Sequence, residues 1–116
     1  MKAFEILKTA VKALDSKKGH EIRAIRVEDL TVIAEYFVIA TANSSTQVRA
    51  LAEEVEYQLD LKETPVHHIE GRGSNWILLD YGSVIVHVFH REAREFYSLD
   101  STWADGENID IEKFLS

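Results

Sequence analysis

The sequence contains no cysteine among its 116 residues, which excludes a disulfide scaffold, a thiolate zinc site and a cysteine nucleophile together. It has a single proline, Pro65, and neither a linker nor a low-complexity tract, so one domain is expected. No apolar run is long enough to cross a bilayer, and the opening MKAFEILKTA has neither an extended apolar block nor a small-residue cleavage site. No membrane contact, signal peptide or transit peptide is expected, and the expected location is the cytoplasm. Basic residues are in deficit as well. Thirteen Lys and Arg face twenty Asp and Glu for a formal net charge of −7, the wrong sign for gripping nucleic-acid phosphates over a broad surface. A basic partner fits better than naked nucleic acid, and no direct sequence-specific nucleic-acid contact is expected.

What is present is ample core material: 46% hydrophobic and 28% charged residues suit a globular chain that buries about two-thirds of its extended surface. Phe4, Leu7, Val11 and Leu14 recur at three and four residues, which predicts an amphipathic helix. Lys17, Lys18 and Gly19 end it, with the glycine expected in a left-handed cap. Strands are expected over 21–27 and 35–41, paired antiparallel across a short connection. Ser44 followed by Gln47 has capping-box spacing and opens a helix that should end near Leu61. Its apolar face is Val48, Leu51, Ala52, Val55 and Leu59, while Glu53, Glu54, Glu56 and Asp60 line the solvated side. A strand over 66–70 should follow as the second half of a parallel crossover unit. Strands over 75–80 and 83–90 should form a hairpin around Tyr81 and Gly82, and a third helix is expected over 91–99.

The hairpin is the most informative segment. Pairing Asp80 with Ser83 places Ile77, Leu79, Val84, Val86 and Val88 on one purely aliphatic face. The other face carries Trp76, Leu78, Asp80, Ile85, His87 and Phe89, a mixture with the makeup of a protein interface. A second helix layer over that face would account for the pattern equally well. If it is bare, an exposed Trp76, Ile85 and Phe89 would favour self-association. Tyr81 and Gly82 are explained by turn chemistry as readily as by binding, Asp80 can stabilise the turn, and His87 can buttress Trp76 or simply sit half-buried.

The segments TANSSTQV after FVIAT, then HHIEG, WILLDYGSVIVHVF and REAREFYSLDSTW, resemble in their order the ribosomal silencing factor, or Iojap-like, family. The resemblance spans residues 1–103, and its two specific blocks are DLTVIAEYFVIATANSSTQV and EGRGSNWILLDYGSVIVHVFHREAREFYSLDSTW. It implies a single α/β domain with a five-stranded mixed sheet packed with helices, in a nucleotidyltransferase-like topology without catalysis. Residues 104–116 would be an acidic tail, docked or free. The implied activity is binding the large ribosomal subunit through large-subunit ribosomal protein fourteen, which blocks joining of the small subunit and represses translation under nutrient limitation. A homodimer is implied for the free protein. The family's binding surface corresponds here to Glu70, Gly71, Trp76, Leu78, Asp80, Tyr81 and Gly82, with His87 and Phe89 in support. Ala42 stands where the family often has glycine, which bears on the loop before Asn43.

An alternative is a degenerate nucleotide-binding or nucleotidyltransferase-like enzyme. Such chemistry needs a Gly-Ser turn at a helix start to hold phosphates and paired carboxylates on the next strand to hold magnesium. Asn43-Ser44 replaces the first, and Val66-His67-His68-Ile69-Glu70 offers one carboxylate rather than two. No catalysis and no cofactor are expected. His67, His68, His87 and His90 suggest a metal site, but strand alternation separates His67 from His68 and His87 from His90, so none is expected.

Overall fold

The computed structural model describes residues 1–93 and 106–115. Helix α1 (Ala3–Ser16) buries Ile6, Leu7, Ala10, Val11, Ala13 and Leu14, the stripe that its spacing predicts. It ends in a Schellman turn: Gly19 N donates to Leu14 O at 2.9 Å and Lys18 N to Asp15 O at 3.0 Å. The left-handed residue is Lys18, at φ 61°, rather than the glycine expected there. Gly19 serves close approach instead, since a Cβ would lie 3.0 Å from the Leu14 carbonyl oxygen. Helix α2 (Ser45–Leu61) ends in the same way, with Glu63 at φ 57° and Thr64 N donating to Leu59 O at 2.9 Å.

The strands are β1 (His20–Arg26), β2 (Tyr36–Ala42), β3 (His68–Glu70), β4 (Trp76–Asp80), β5 (Val84–His90) and β6 (Glu107–Ile109). They form one mixed sheet in the order β3-β4-β5-β2-β1-β6, six strands rather than the expected five. The addition is β6, which pairs antiparallel with β1. The expected antiparallel pairing of β1 with β2 is present. β2 pairs in parallel with β5, whereas β3 pairs antiparallel with β4, and β4 with β5. β3 therefore points the same way as β2, as a crossover requires, but β4 and β5 stand between them.

One face of the sheet carries Ala24, Val38, Ala40, Ile77, Leu79, Val84, Val86 and Val88 and forms the main core with α1 and α2. A short terminal helix, α3 (Glu112–Leu115), joins this layer through Phe114, whose ring meets Phe4 edge-on at 5.4 Å. Ile25, Val27, Ala34, Phe37, Ile39, Ile85 and Phe89 form a second buried cluster on the other face, with Trp76, Leu78 and Ala93 packed against it. Of the helix expected over 91–99, residues 91–93 are helical, and the rest lies outside the described residues.

Candidate functional site

The hairpin turns later than its two-residue spacing implied. Asp80 pairs with Ile85, Leu78 with His87 and Trp76 with Phe89, a register shifted by two residues from the expected one. A shift of two keeps every side chain on its expected face, because the strand period is two. The turn closes through Tyr81 N donating to Val84 O at 2.9 Å. Asp80 Oδ1 accepts from Gly82 N at 2.7 Å, and Gly82 adopts φ +83°, which a side chain would strain. Asp80 thus has the turn-stabilising role that its position allowed.

Tyr81 points into the main core and is 3% exposed, so it is not available to a partner in this structure. Its hydroxyl has no hydrogen-bond partner among the described residues, and its pKa is raised by burial first and by the nearby Glu56 and Asp60 carboxylates second. Those two acids differ in setting. Asp60 is exposed, whereas Glu56 is half-buried and takes Arg72 Nη2 at 2.8 Å, so it is not part of a freely solvated helix face.

The mixed face is not bare. Phe89 is 0%, His87 4% and Ile85 6% exposed, which makes them second-core residues and removes the argument for self-association from an open Trp76, Ile85 and Phe89 surface. His87 buttresses Trp76 directly: its Nδ1 accepts from Trp76 Nε1 at 3.2 Å. The indole stacks on Phe89 at 4.8 Å between centroids, and Phe37 meets the imidazole edge-on at 5.1 Å. Acceptance at Nδ1 leaves the proton on Nε2, which is buried and has no partner among the described residues. Burial pushes the His87 pKa down to about 4, so the ring is neutral at pH 7.

Solvent reaches this face at both edges: at the β1–β6 border, where Arg23 is half-buried and Asn108 exposed, and at the β3–β4 border. Trp76, Leu78 and Asp80 on β4 are half-buried, and His68 and Glu70 on β3 are exposed, with His68 Nε2 and Glu70 Oε1 3.0 Å apart. Pairing of His68 with Asp80 and Glu70 with Leu78 sets these side chains on one side of the sheet. Gly71 turns the chain from β3 toward β4 at φ +85°, and a Cβ there would sit 1.9 Å from the Trp76 carbonyl oxygen. The structure therefore gathers Glu70, Trp76, Leu78 and Asp80 into one strip. Gly71 and Gly82 shape the backbone at its ends, His87 and Phe89 support it from within, and Tyr81 points to the opposite, main-core face.

The start of α2 is capped from within the chain. Ser44 Oγ accepts from Gln47 N at 3.1 Å, while Gln47 Oε1 accepts from Asn43 N at 2.7 Å, one residue earlier than in a standard capping box. Gln47 Nε2 also donates to Lys18 O at 3.1 Å and tethers the α1–β1 turn. Asn43 holds His20 Nε2 at 2.8 Å and Arg91 Nη2 at 2.9 Å. Among the described residues, no group of three or more His, Asp or Glu side chains could hold a metal ion, and no helix is long and apolar enough to cross a membrane.

Residues 1–116 match the family model described as ribosomal silencing factor during starvation. The chain is 38% identical to the ribosomal silencing factor of Bacillus subtilis over 97% of its own length and 96% of the relative's. It is 34% identical to that of Halalkalibacterium halodurans, with 97% of both chains covered. Its fold is similar to the crystal structure of a Chromobacterium violaceum protein, with a TM-score of 0.87 and 32% identity over 95% of this chain and 92% of that one. The chain belongs to the ribosomal silencing factor family, and so to the proteins that regulate translation at the ribosome.

Proposed function

We propose that the chain binds the large ribosomal subunit through large-subunit ribosomal protein fourteen, at the β3–β4 border of its sheet, and so keeps the small subunit from joining. The observation that carries this reading is the strip of Trp76, Leu78, Asp80 and Glu70, where a half-buried tryptophan and leucine meet solvent beside two carboxylates. A half-buried tryptophan beside a leucine supplies an anchor that needs little ordering, because Phe89 and His87 already hold the indole. Covering what remains exposed of Trp76 and Leu78 is worth on the order of 1 kcal/mol each at about 25 cal/mol per Å². Asp80 and Glu70 would meet basic side chains and steer the approach. No chemical step is required, because a folded domain seated at the joining face acts by occupying it. The work belongs in the cytoplasm, and the free protein is a homodimer on the strength of the family resemblance.

Co-sedimentation with purified large subunits, followed by a gradient assay of subunit joining, tests the proposal. Glu70→Lys and Asp80→Asn should weaken capture while Glu53→Lys, on the exposed face of α2, should not. Asp80→Asn keeps an oxygen for the Gly82 amide and isolates the charge from the turn. Equal weakening by Glu53→Lys would mean that only net charge matters and would refute the strip. Nucleotide turnover without subunit capture would favour a nucleotide-handling enzyme instead. A single monomeric species across a wide concentration range in sedimentation velocity would refute the homodimer.

A further inference from the structure

A second surface has the opposite electrical character. Two adjoining grooves of about 260 and 310 Å³ lie between α1 and the last turn of α2, and Thr9, Lys12 and Lys62 line both. Lys8 completes a trio of ammonium groups there, against one carboxylate, Glu5. Among the described residues, none of the three lysines forms an ion pair. Lys62 is aimed rather than free: its Nζ donates to Thr9 Oγ1 at 3.1 Å, and that hydroxyl is itself fixed by donating to Glu5 O at 2.9 Å. Lys8 and Lys12 stand four residues apart on one helix, where like charges repel mildly. An unneutralised basic trio on a chain of net charge −7 is the feature that calls for an occupant.

Building on the ribosomal reading above, we propose that Lys8, Lys12 and Lys62 form a second contact, made to the phosphate backbone of ribosomal RNA. The groove suits an extended polyanion better than a small phosphorylated ligand. Only Thr9 and Ala13 of its lining residues are buried, and the Thr9 hydroxyl is already engaged by Lys62 Nζ and Glu5 O, which leaves little to orient a small molecule. Ammonium groups on long stems instead neutralise phosphates along a strand and release their counterions. Position agrees with this. His67, whose N donates to Asp80 O at 2.8 Å, lies five positions after Lys62, so at most roughly 18 Å of chain joins the groove to that end of the hairpin. One body can therefore touch a ribosomal protein with its strip and RNA with its groove. The net negative charge keeps it from RNA elsewhere.

The test uses the full chain with purified large subunits, at salt concentrations from low to physiological. Replacing Lys8, Lys12 and Lys62 together by glutamine should lower the slope of log affinity against log salt by about 2 and the affinity on the order of a hundredfold at low salt. All three side chains are exposed, so the variant should melt like the parent. Glu70→Lys should lower affinity by a different route, without that fall in slope. A lysine-free groove that binds with the parent's affinity and slope, while Glu70→Lys still weakens capture, overturns this inference and leaves the hairpin contact standing. Failure of the parent to sediment with subunits overturns both. Because the chain has no cysteine, Lys12→Cys accepts a photo-cross-linker at one site. Label recovered in ribosomal RNA supports the inference, and label in ribosomal protein alone refutes it.

Discussion

Acidification probes the Trp76–His87 pair, and its effect follows from the burial of one imidazole. An unfolded histidine takes up a proton near pH 6.5, whereas His87 in the folded chain holds off until about pH 4. Below pH 6.5 the unfolded state therefore binds more protons than the folded state, and stability falls as pH falls. At about 1.4 kcal/mol per pH unit the loss is about 2 kcal/mol by pH 5 and approaches about 3 kcal/mol below pH 4. Above pH 6.5 this residue contributes no slope. Among the described residues, the aromatic rings packed around the imidazole are Trp76, Phe37 and Phe89, none of which titrates in that range. His87→Gln isolates the effect, because glutamine can accept from Trp76 Nε1 and does not titrate. Urea unfolding at pH 7.5 and pH 5 should show the midpoint of the parent falling by roughly 1 to 2 M more than that of His87→Gln. Equal falls in the two proteins would show that His87 is not held neutral by burial, and the account of the second core would be wrong.

Three further outcomes follow from packing. Ile77→Asp places a carboxylate in the main core with no partner and should cost on the order of 3 kcal/mol or more, seen as loss of cooperative melting. Gly71→Ala should destabilise markedly, because its Cβ would collide with the Trp76 carbonyl and the backbone there is left-handed; Gly73→Ala, also left-handed but in open space, should cost only the backbone strain of about 1 to 2 kcal/mol. Lys18→Gly and Glu63→Gly should each stabilise the fold by about 1 kcal/mol in denaturant titrations, since both residues sit in left-handed helix caps that glycine adopts without strain.

The helices were legible because their apolar positions repeat cleanly: Leu7, Val11 and Leu14 in α1, and Val48, Leu51, Val55 and Leu59 in α2, are all buried. Alternation also fixed the faces of the hairpin correctly, although the register was off by two. The reason lies at Tyr81: it continues the inward alternation of Ile77 and Leu79 and still bonds Val84 O through its N, so the two-residue turn falls on Gly82-Ser83, one position later than expected. β6 left no mark in the pattern, since Glu107-Asn108-Ile109 pairs through three residues and only Ile109 packs against the main core. Burial of Ile85 and Phe89 was equally hidden, because a strand sequence does not reveal what packs over its second face. Within the candidate site, Glu70, Trp76, Leu78 and Asp80 came out together, whereas Tyr81 could not be told from an exposed turn aromatic. The lysine groove escaped notice because its three members come from two helices and become neighbours only when α1 packs on α2.

The parallel seam at the centre of the sheet also shapes how the chain is made. Tyr36 of β2 pairs with Val84 of β5, 48 positions later. At about 5 to 20 residues per second, β2 spends some 2 to 10 seconds of synthesis waiting for that neighbour. The β1–β2 hairpin can close first, and α2 can shelter one side, but the other hydrogen-bonding edge of Phe37-Val38-Ile39-Ala40-Thr41-Ala42 stays unpaired. That stretch is uncharged and rich in strand-forming residues, the composition that most readily recruits another chain. Nascent copies on neighbouring ribosomes are the nearest such chains, so the interval between β2 and β5 is when this protein is most exposed to misassembly.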